Sequence, residues 1–234
     1  MSSNVFGFFT RRAACVAVGL VALLASAPAR AEVVFGNLGT SGSAALAGAG
    51  PGVSDSNYAA QGFTVGGVND RLTSVTLGLL DSDGNNARVQ LFASSGSAPT
   101  GAALASGTLA ISGINTPSLY TFNFDQQLTS GSSYWVVVST PDVGGGFIWT
   151  ANAGLNDLAA QNSSGWATTS PKSRYSSDAG ANWSSGDFFS DKAAMSITAV
   201  PEPSTLALAG IGLTALAGLE VRRRVRRSGS RHTA

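Results

Sequence analysis

Apolar and polar side chains alternate along much of the central part of the chain. Between residues 71 and 80, one set of alternate positions is mainly apolar, namely Thr73, Val75, Leu77 and Leu79. Because successive side chains of a β-strand point to opposite faces, this pattern predicts a strand with that set facing the core. The opposite face of the same strand then carries Leu72, Ser74 and Thr76.

The next segment predicts a second strand. Residues 81–86 form a polar turn of Asp, Ser, Gly and Asn, and residues 87–94 alternate again, with Val89 and Leu91 inward. Two alternating segments joined by a short polar turn are typical of a β-hairpin. We therefore expect these two strands to pair.

Similar segments recur through the body of the chain, separated by clusters of Gly, Ser, Asn and Asp. They leave little room for helix, so the sequence predicts an all-β, antiparallel β-sandwich of about nine strands. The predicted strands are residues 32–37, 58–65, 71–80, 87–94, 108–112, 119–124, 134–140, 147–151 and 194–200.

The beginning of the chain has the pattern of an export signal. Arg11 and Arg12 precede an uncharged stretch at residues 13–29, and the small residues Ala29 and Ala31 suit a signal peptidase. We expect a signal helix in residues 1–31 that is removed by cleavage after Ala31, with cleavage after Ala29 as the second choice. An uncleaved N-terminal anchor is the alternative.

A second uncharged segment, residues 206–219, lies between Pro201, Glu202 and Pro203 on one side and a basic cluster on the other. This order predicts a transmembrane helix at residues 204–221 and a cytoplasmic tail at 222–234, with residues 32–200 outside the membrane. As a helix, residues 206–219 would cover roughly 21 Å of a hydrocarbon core of roughly 30 Å. The stop-transfer residues are Arg222, Arg223, Arg224, Arg226 and Arg227.

Taken together, the Pro-Glu-Pro element, the apolar segment and the arginines at residues 201–234 resemble the PEP-CTERM sorting signal of Gram-negative bacteria. The resemblance implies an exosortase as partner, a membrane-embedded enzyme that recognises Pro-Glu-Pro, removes the helix and releases or transfers the exported domain. The inner membrane would then hold the protein only before processing. An ordinary single-pass anchor is the alternative, but it does not explain the prolines.

The strand series at residues 56–200 resembles the exported choice-of-anchor domains of bacteria, most closely type R. That resemblance implies a jelly-roll-like sandwich displayed at the surface without assigned catalytic residues. With the sorting signal, it implies a role linked to exopolysaccharide and biofilm. It rests on Gln61-Gly-Phe-Thr, Leu72-Thr-Ser-Val-Thr-Leu, Val89-Gln-Leu-Phe, Tyr120-Thr-Phe-Asn-Phe, Tyr134-Trp-Val-Val-Val and Phe147-Ile-Trp.

The composition of residues 32–200 limits the chemistry of the exported part. Eleven acidic and five basic residues give a net charge of −6, which offers no electrostatic reason to bind nucleic acid. The only cysteine is Cys15 and the only histidine is His232, so this part has no Cys or His nucleophile, base or metal ligand. Its one glutamate, Glu32, lies at its start. The other acids weighed for glycoside hydrolysis lie in Gly-, Ser- or Asn-rich segments where turn roles are expected, so no carboxylate pair is nominated; they are Asp142, Asp157, Asp178, Asp187 and Asp191. We expect no enzymatic activity.

Two polar turns were considered as sites. Asp81, Asp83 and Asn85 could surround calcium, but Gly84 is fourth and Phe92 twelfth in the loop, unlike an EF-hand. A structural turn is favoured, and no cofactor is predicted. The second turn looks like an Asp box, with the pattern Ser-x-Asp-x-Gly-x-x-Trp, and is interpreted as scaffold. Its residues are Ser176, Asp178, Gly180 and Trp183.

Tryptophan side chains could also bind sugar rings, which makes a surface carbohydrate-binding module the alternative function. Trp135 and Trp149 lie in strand patterns and are expected in or near the core, whereas Trp166 lies in a polar segment and is the best exposed candidate. An aromatic plug over a sheet edge is the favoured interpretation of Trp166.

Overall fold

The computed structural model describes residues 30–38, 46–47, 50–67, 70–81, 83–94, 97–111, 115–152, 165–185 and 193–202. The predicted signal helix, transmembrane helix and basic tail lie outside these residues. Arg30–Glu202 forms one compact unit. In the described ranges, no helix is long and apolar enough to cross a membrane.

The described residues form strands joined by turns and contain no helix. In chain order the strands are β1 (Glu32–Gly36), β2 (Leu46–Ala47), β3 (Gly52–Ser54), β4 (Tyr58–Thr64), β5 (Asp70–Leu80), β6 (Asn86–Ser94), β7 (Pro99–Ala110), β8 (Ser118–Leu128), β9 (Ser133–Ser139), β10 (Gly146–Trp149), β11 (Ala151–Asn152), β12 (Ala167–Ser176) and β13 (Met195–Pro201).

These strands build two main sheets. The first has the order β1-β13-β5-β10-β3, with β8 also paired to β5, and the second has the order β12-β4-β9-β6-β7. β2 and β11 form a separate two-stranded sheet. The strand pairs of the described residues are antiparallel, which confirms the all-β, antiparallel prediction.

The core lies between the two main sheets. Phe35 and Leu77 of the first sheet belong to the same buried cluster as Phe63 and Val89 of the second. The rings of Phe35 and Phe63 lie 6.1 Å apart between centroids. Burial of these apolar faces against each other is the main force that holds the sheets together.

The predicted hairpin between residues 71–80 and 87–94 is wrong. β5 pairs with β13, β8 and β10 in the first sheet, whereas β6 pairs with β7 and β9 in the second. The turn after Leu80 therefore carries the chain from one sheet to the other. Alternation indicates which side chains face the core, as Val89 and Leu91 do, but two facing strands in opposite sheets show the same pattern as a hairpin.

The predicted faces of β5 are also wrong at one position, because Leu72 is fully buried together with Val75, Leu77 and Leu79. The register between β5 and β13 shifts at this point and leaves Thr73 as an extra residue. Such a β-bulge interrupts the alternation of faces. The Thr73 hydroxyl donates a hydrogen bond to the backbone oxygen of Thr198 at 3.0 Å and so helps to hold the bulge.

Candidate functional site

The last strand leads directly into the predicted sorting motif. β13 pairs with β5 along its length, and its final residue, Pro201, lies opposite Asp70. Proline lacks a backbone N–H, so the end of a strand is a position that it occupies without loss of a ladder hydrogen bond. Glu202 follows, and its Oε2 accepts a hydrogen bond from Nε2 of Gln127 at 2.8 Å. Pro203 and the five stop-transfer arginines lie outside the described residues.

The first strand begins beside the end of the last one. Glu32, the predicted mature N-terminus, pairs with Ala199 of β13. Ala31, the predicted residue before the cleavage site, is exposed, and Ala29 lies outside the described residues. The start of the exported domain and its exit into the sorting motif are therefore at the same end of one sheet.

A buried carboxylate lies at this end of the sheet. Asp70 Oδ2 accepts a hydrogen bond from Trp166 Nε1 at 3.1 Å, while the buried Oδ1 has no hydrogen-bond partner. Burial raises the pKa of Asp70 despite the opposing effect of the Trp166 hydrogen bond, and the negative charges of Glu32 and Glu202 raise it further.

Trp166 is fully buried, so it is not an exposed sugar-binding candidate. Its ring stacks on Phe63, with centroids 5.5 Å apart and planes 13° apart. This burial agrees with the favoured interpretation of Trp166 as an aromatic plug. Trp135 and Trp149 are fully buried as predicted. The carbohydrate-binding alternative therefore loses Trp166 as its candidate contact.

The polar turn after β5 is organised around one buried carboxylate. Asp81 accepts hydrogen bonds from the backbone N–H of Asp83 at 3.0 Å and of Asn85 at 2.6 Å, and from the Asn85 amide at 3.1 Å. These bonds occupy the oxygens that a calcium ion would need, which favours the structural interpretation of the turn. Within the described ranges, no three His, Cys, Asp or Glu side chains are grouped so that they could hold a metal ion.

The Asp-box-like turn follows β12. Asp178 accepts hydrogen bonds from the Ser176 hydroxyl at 2.7 Å and from the backbone N–H of Asn182 at 2.8 Å. The Asn182 amide donates to its other oxygen at 2.6 Å, and Gly180 has a positive φ of 86°. Hydrogen bonds from the Asn182 side chain and backbone, followed by that from Ser176, lower the pKa of Asp178. Trp183 packs against a small buried cluster on the outer face of the second sheet.

Two of the acids weighed for catalysis, Asp142 and Asp178, accept hydrogen bonds at turns in the described part of the chain. Asp142 accepts hydrogen bonds from the backbone N–H and the amide of Asn86, and these bonds lower its pKa. It thus joins the turn before β10 to the start of β6. Three further acids, Asp157, Asp187 and Asp191, lie outside the described residues.

A group of aromatic and polar side chains on the outer face of the second sheet was not identified from the sequence. Tyr58 on β4 and Arg88, Gln90 and Phe92 on β6 line one groove there. The sequence indicates part of this arrangement, because the three β6 residues alternate with the core-facing Val89 and Leu91 and so share the opposite face of the strand. Their proximity to Tyr58 depends on the strand order β4-β9-β6, which the sequence pattern does not contain.

These features describe an antiparallel β-domain whose last strand leads into the Pro-Glu-Pro segment. Residues 199–227 match the protein family described as the PEP-CTERM protein-sorting motif. The match begins at Ala199, within β13, and extends through the apolar segment to Arg227. The motif implies export, a membrane-anchored sorting signal and recognition by an exosortase. No curated protein matches the chain.

Proposed function

We propose that this chain is a non-enzymatic surface or extracellular-matrix protein. In this proposal, signal peptidase removes residues 1–31, an exosortase processes the chain near residues 201–203, and residues 32–200 function outside the cell in association with exopolysaccharide and biofilm. The inner membrane holds the protein only until the second cleavage. The observation that carries the proposal is the match of residues 199–227 to the sorting motif.

The position of the motif on the domain supports this order of events. Pro201 is the last residue of β13, and the Glu202 side chain accepts an exposed hydrogen bond from Gln127. Exposed hydrogen bonds of this kind are in exchange with water and contribute little net free energy. An exosortase could therefore engage residues 201–203 without unfolding the core of the sandwich.

The non-enzymatic part of the proposal rests on the side chains of the domain. Residues 32–200 contain no cysteine or histidine. Asp81, Asp142 and Asp178 are each occupied by hydrogen bonds within turns. Carboxylates used in this way stabilise local backbone geometry and are not positioned as a pair across a cleft.

The proposal is tested by substituting the two prolines of the motif. The double variant Pro201→Ala, Pro203→Ala is expected to accumulate as an unprocessed membrane-bound precursor in cells that express an exosortase. Wild-type protein should accumulate in the same form when the exosortase is deleted. Pro141→Ala, an exposed proline before β10, is the matched control and should be processed normally. Processing of the double variant at the wild-type rate would contradict the proposal.

A further inference from the structure

The outer face of the second sheet carries a groove of about 530 Å³. This volume lies within the roughly 300–1,000 Å³ typical of small-molecule sites. Its floor is formed by Tyr58 on β4, by Val137 on β9 and by three side chains of β6, Arg88, Gln90 and Phe92. Its two walls are the start of β7 at residues 99–101 and the Asp-box-like turn with Trp183.

Arg88 is held in a defined position at the floor of this groove. Its Nε donates a hydrogen bond to the Ser139 hydroxyl at 3.0 Å, and its Nη2 donates one to the Tyr58 hydroxyl at 3.0 Å. The guanidinium carbon lies 6.0 Å from the centroid of the Tyr58 ring. These contacts use two of the five N–H groups of a guanidinium, so the remaining donors can serve a ligand.

No carboxylate of the described residues neutralises Arg88. The ion pair found there joins Arg71 to Asp125 at 2.8 Å and lies on the first sheet. Asp178 belongs to the Asp-box-like turn but does not line the groove, and its oxygens accept hydrogen bonds from Ser176 and Asn182. A fixed guanidinium with unused donors, unpaired with any carboxylate in the described part of the chain, is suited to bidentate recognition of a carboxylate.

Both walls are fastened to other parts of the domain, so the groove exists before a ligand binds. Arg174, which is 4% exposed, donates a hydrogen bond from Nε to the backbone oxygen of Ser97 at 2.6 Å, close to the wall formed by residues 99–101. On the other side, Ala179 N–H donates to the backbone oxygen of Ser56 at 2.8 Å. A preformed site loses less conformational entropy when a ligand binds.

We propose that this groove binds a carboxylate-bearing sugar ring, a uronate unit of an acidic polysaccharide. The C–H face of a pyranose packs on the aromatic rings, the Gln90 amide both donates to and accepts from hydroxyl groups, and Arg88 pairs with the carboxylate. An extended peptide cannot add here as a strand, because β4, β9 and β6 are each paired on both sides. The inference does not depend on exosortase processing.

The test compares two hexasaccharides that share one sugar backbone and differ in whether their carboxyl groups are free or methyl-esterified. Hexagalacturonate and its methyl ester are titrated into the full-length protein in detergent, and binding is measured by calorimetry. The acid is expected to bind at least tenfold more tightly than the ester. Arg88→Gln should weaken binding of the acid at least tenfold, or by about 1.4 kcal/mol or more, because it removes the charge-assisted hydrogen bonds to the carboxylate. Arg71→Gln removes the same charge from the other sheet and should leave binding unchanged.

A second pair of variants keeps the test decisive if Arg88→Gln does not fold. Gln90→Ala retains the guanidinium and should weaken binding severalfold, and Trp183→Phe should reduce the fluorescence change caused by the acid. Three results would overturn the proposal: no binding of hexagalacturonate to folded wild-type protein, equal binding of acid and ester, or equal losses in Arg88→Gln and Arg71→Gln.

Discussion

The contact between Trp166 and Asp70 gives the sharpest prediction about the stability of the domain. Trp166→Phe keeps a ring that can stack on Phe63 but removes the Nε1 donor, which leaves both oxygens of the buried Asp70 carboxylate without a hydrogen bond. A hydrogen bond to a charged group contributes about 1.5–3 kcal/mol. The smaller ring buries roughly 40 Å² less apolar surface, which is about 1 kcal/mol at 25 cal/mol per Å². We therefore expect a loss of about 2.5–4 kcal/mol.

A double-mutant cycle separates the two contributions. In an Asp70→Asn background the side chain is neutral but still offers an acceptor, so the lost hydrogen bond contributes only about 0.5–1.5 kcal/mol. Trp166→Phe should then cost about 1–1.5 kcal/mol less than it does beside Asp70. The free energy of unfolding is measured by urea denaturation of the Arg30–Glu202 fragment, followed by far-ultraviolet circular dichroism. Equal costs in both backgrounds would refute the charge-assisted contact.

The pH dependence of the same contact has a defined sign. Because the pKa of Asp70 is raised by burial, the folded state binds a proton more readily than the unfolded state does. Between the unfolded and the folded pKa, stability from this group is present at low pH and is lost as pH rises. The cost of Trp166→Phe should therefore shrink as pH falls through the raised pKa of Asp70, since a protonated Asp70 no longer requires the donor. A cost that grows in acid would contradict this account.

Two further predictions concern turns and close packing. Gly62→Ala should destabilise the domain by about 1–3 kcal/mol in urea denaturation, because a Cβ at Gly62 meets the Thr169 side chain, whereas the control Gly52→Ala faces open space and should be nearly neutral. Asp178→Ala should lower the thermal midpoint more than Asp125→Ala, which removes only an exposed ion pair. The pKa of Asp178 is lowered, so this carboxylate stabilises the fold at pH values above the usual aspartate pKa. That stabilisation is lost as pH falls through the lowered pKa. The difference in thermal midpoint between Asp178→Ala and Asp125→Ala should therefore disappear in strong acid. An Asp178→Ala effect that persists there would exclude this origin.

The alternating pattern predicted strands best where one face is buried and the other is polar. In β6, Val89 and Leu91 face the core as expected. β7 was predicted only at residues 108–112, because most of its side chains are exposed at the edge of the sheet and carry no apolar periodicity. β12 was missed because polar side chains occupy its buried positions, among them Ser173, Arg174 and Ser176.

Strand neighbours were harder to predict than strand positions. The pattern of β5 and β6 is the same for a hairpin as for two strands that face each other across the core, and only the tertiary structure distinguishes them. The bulge at Thr73 likewise depends on the register with β13. Tertiary pairing, not local pattern, determines both features.

The sorting motif and the groove around Arg88 also differ in how far the sequence alone predicts them. The sorting motif could be recognised from the sequence because its parts are contiguous in residues 199–227. The groove around Arg88 could not be, because its floor comes from β4, β6 and β9 and its walls from β7 and the turn after β12. Sites built from distant segments become visible only when the strand order is known.

The most direct test of the central claim is intact-mass analysis of the protein recovered outside exosortase-expressing cells. The account predicts a species that begins at Glu32 and ends near Pro203, without residues 206–227. It also predicts that this species is absent when the exosortase is deleted. Recovery outside the cells of a chain that retains the apolar segment and Arg222 to Arg227, or the same shortened species without the exosortase, would contradict exosortase-dependent sorting.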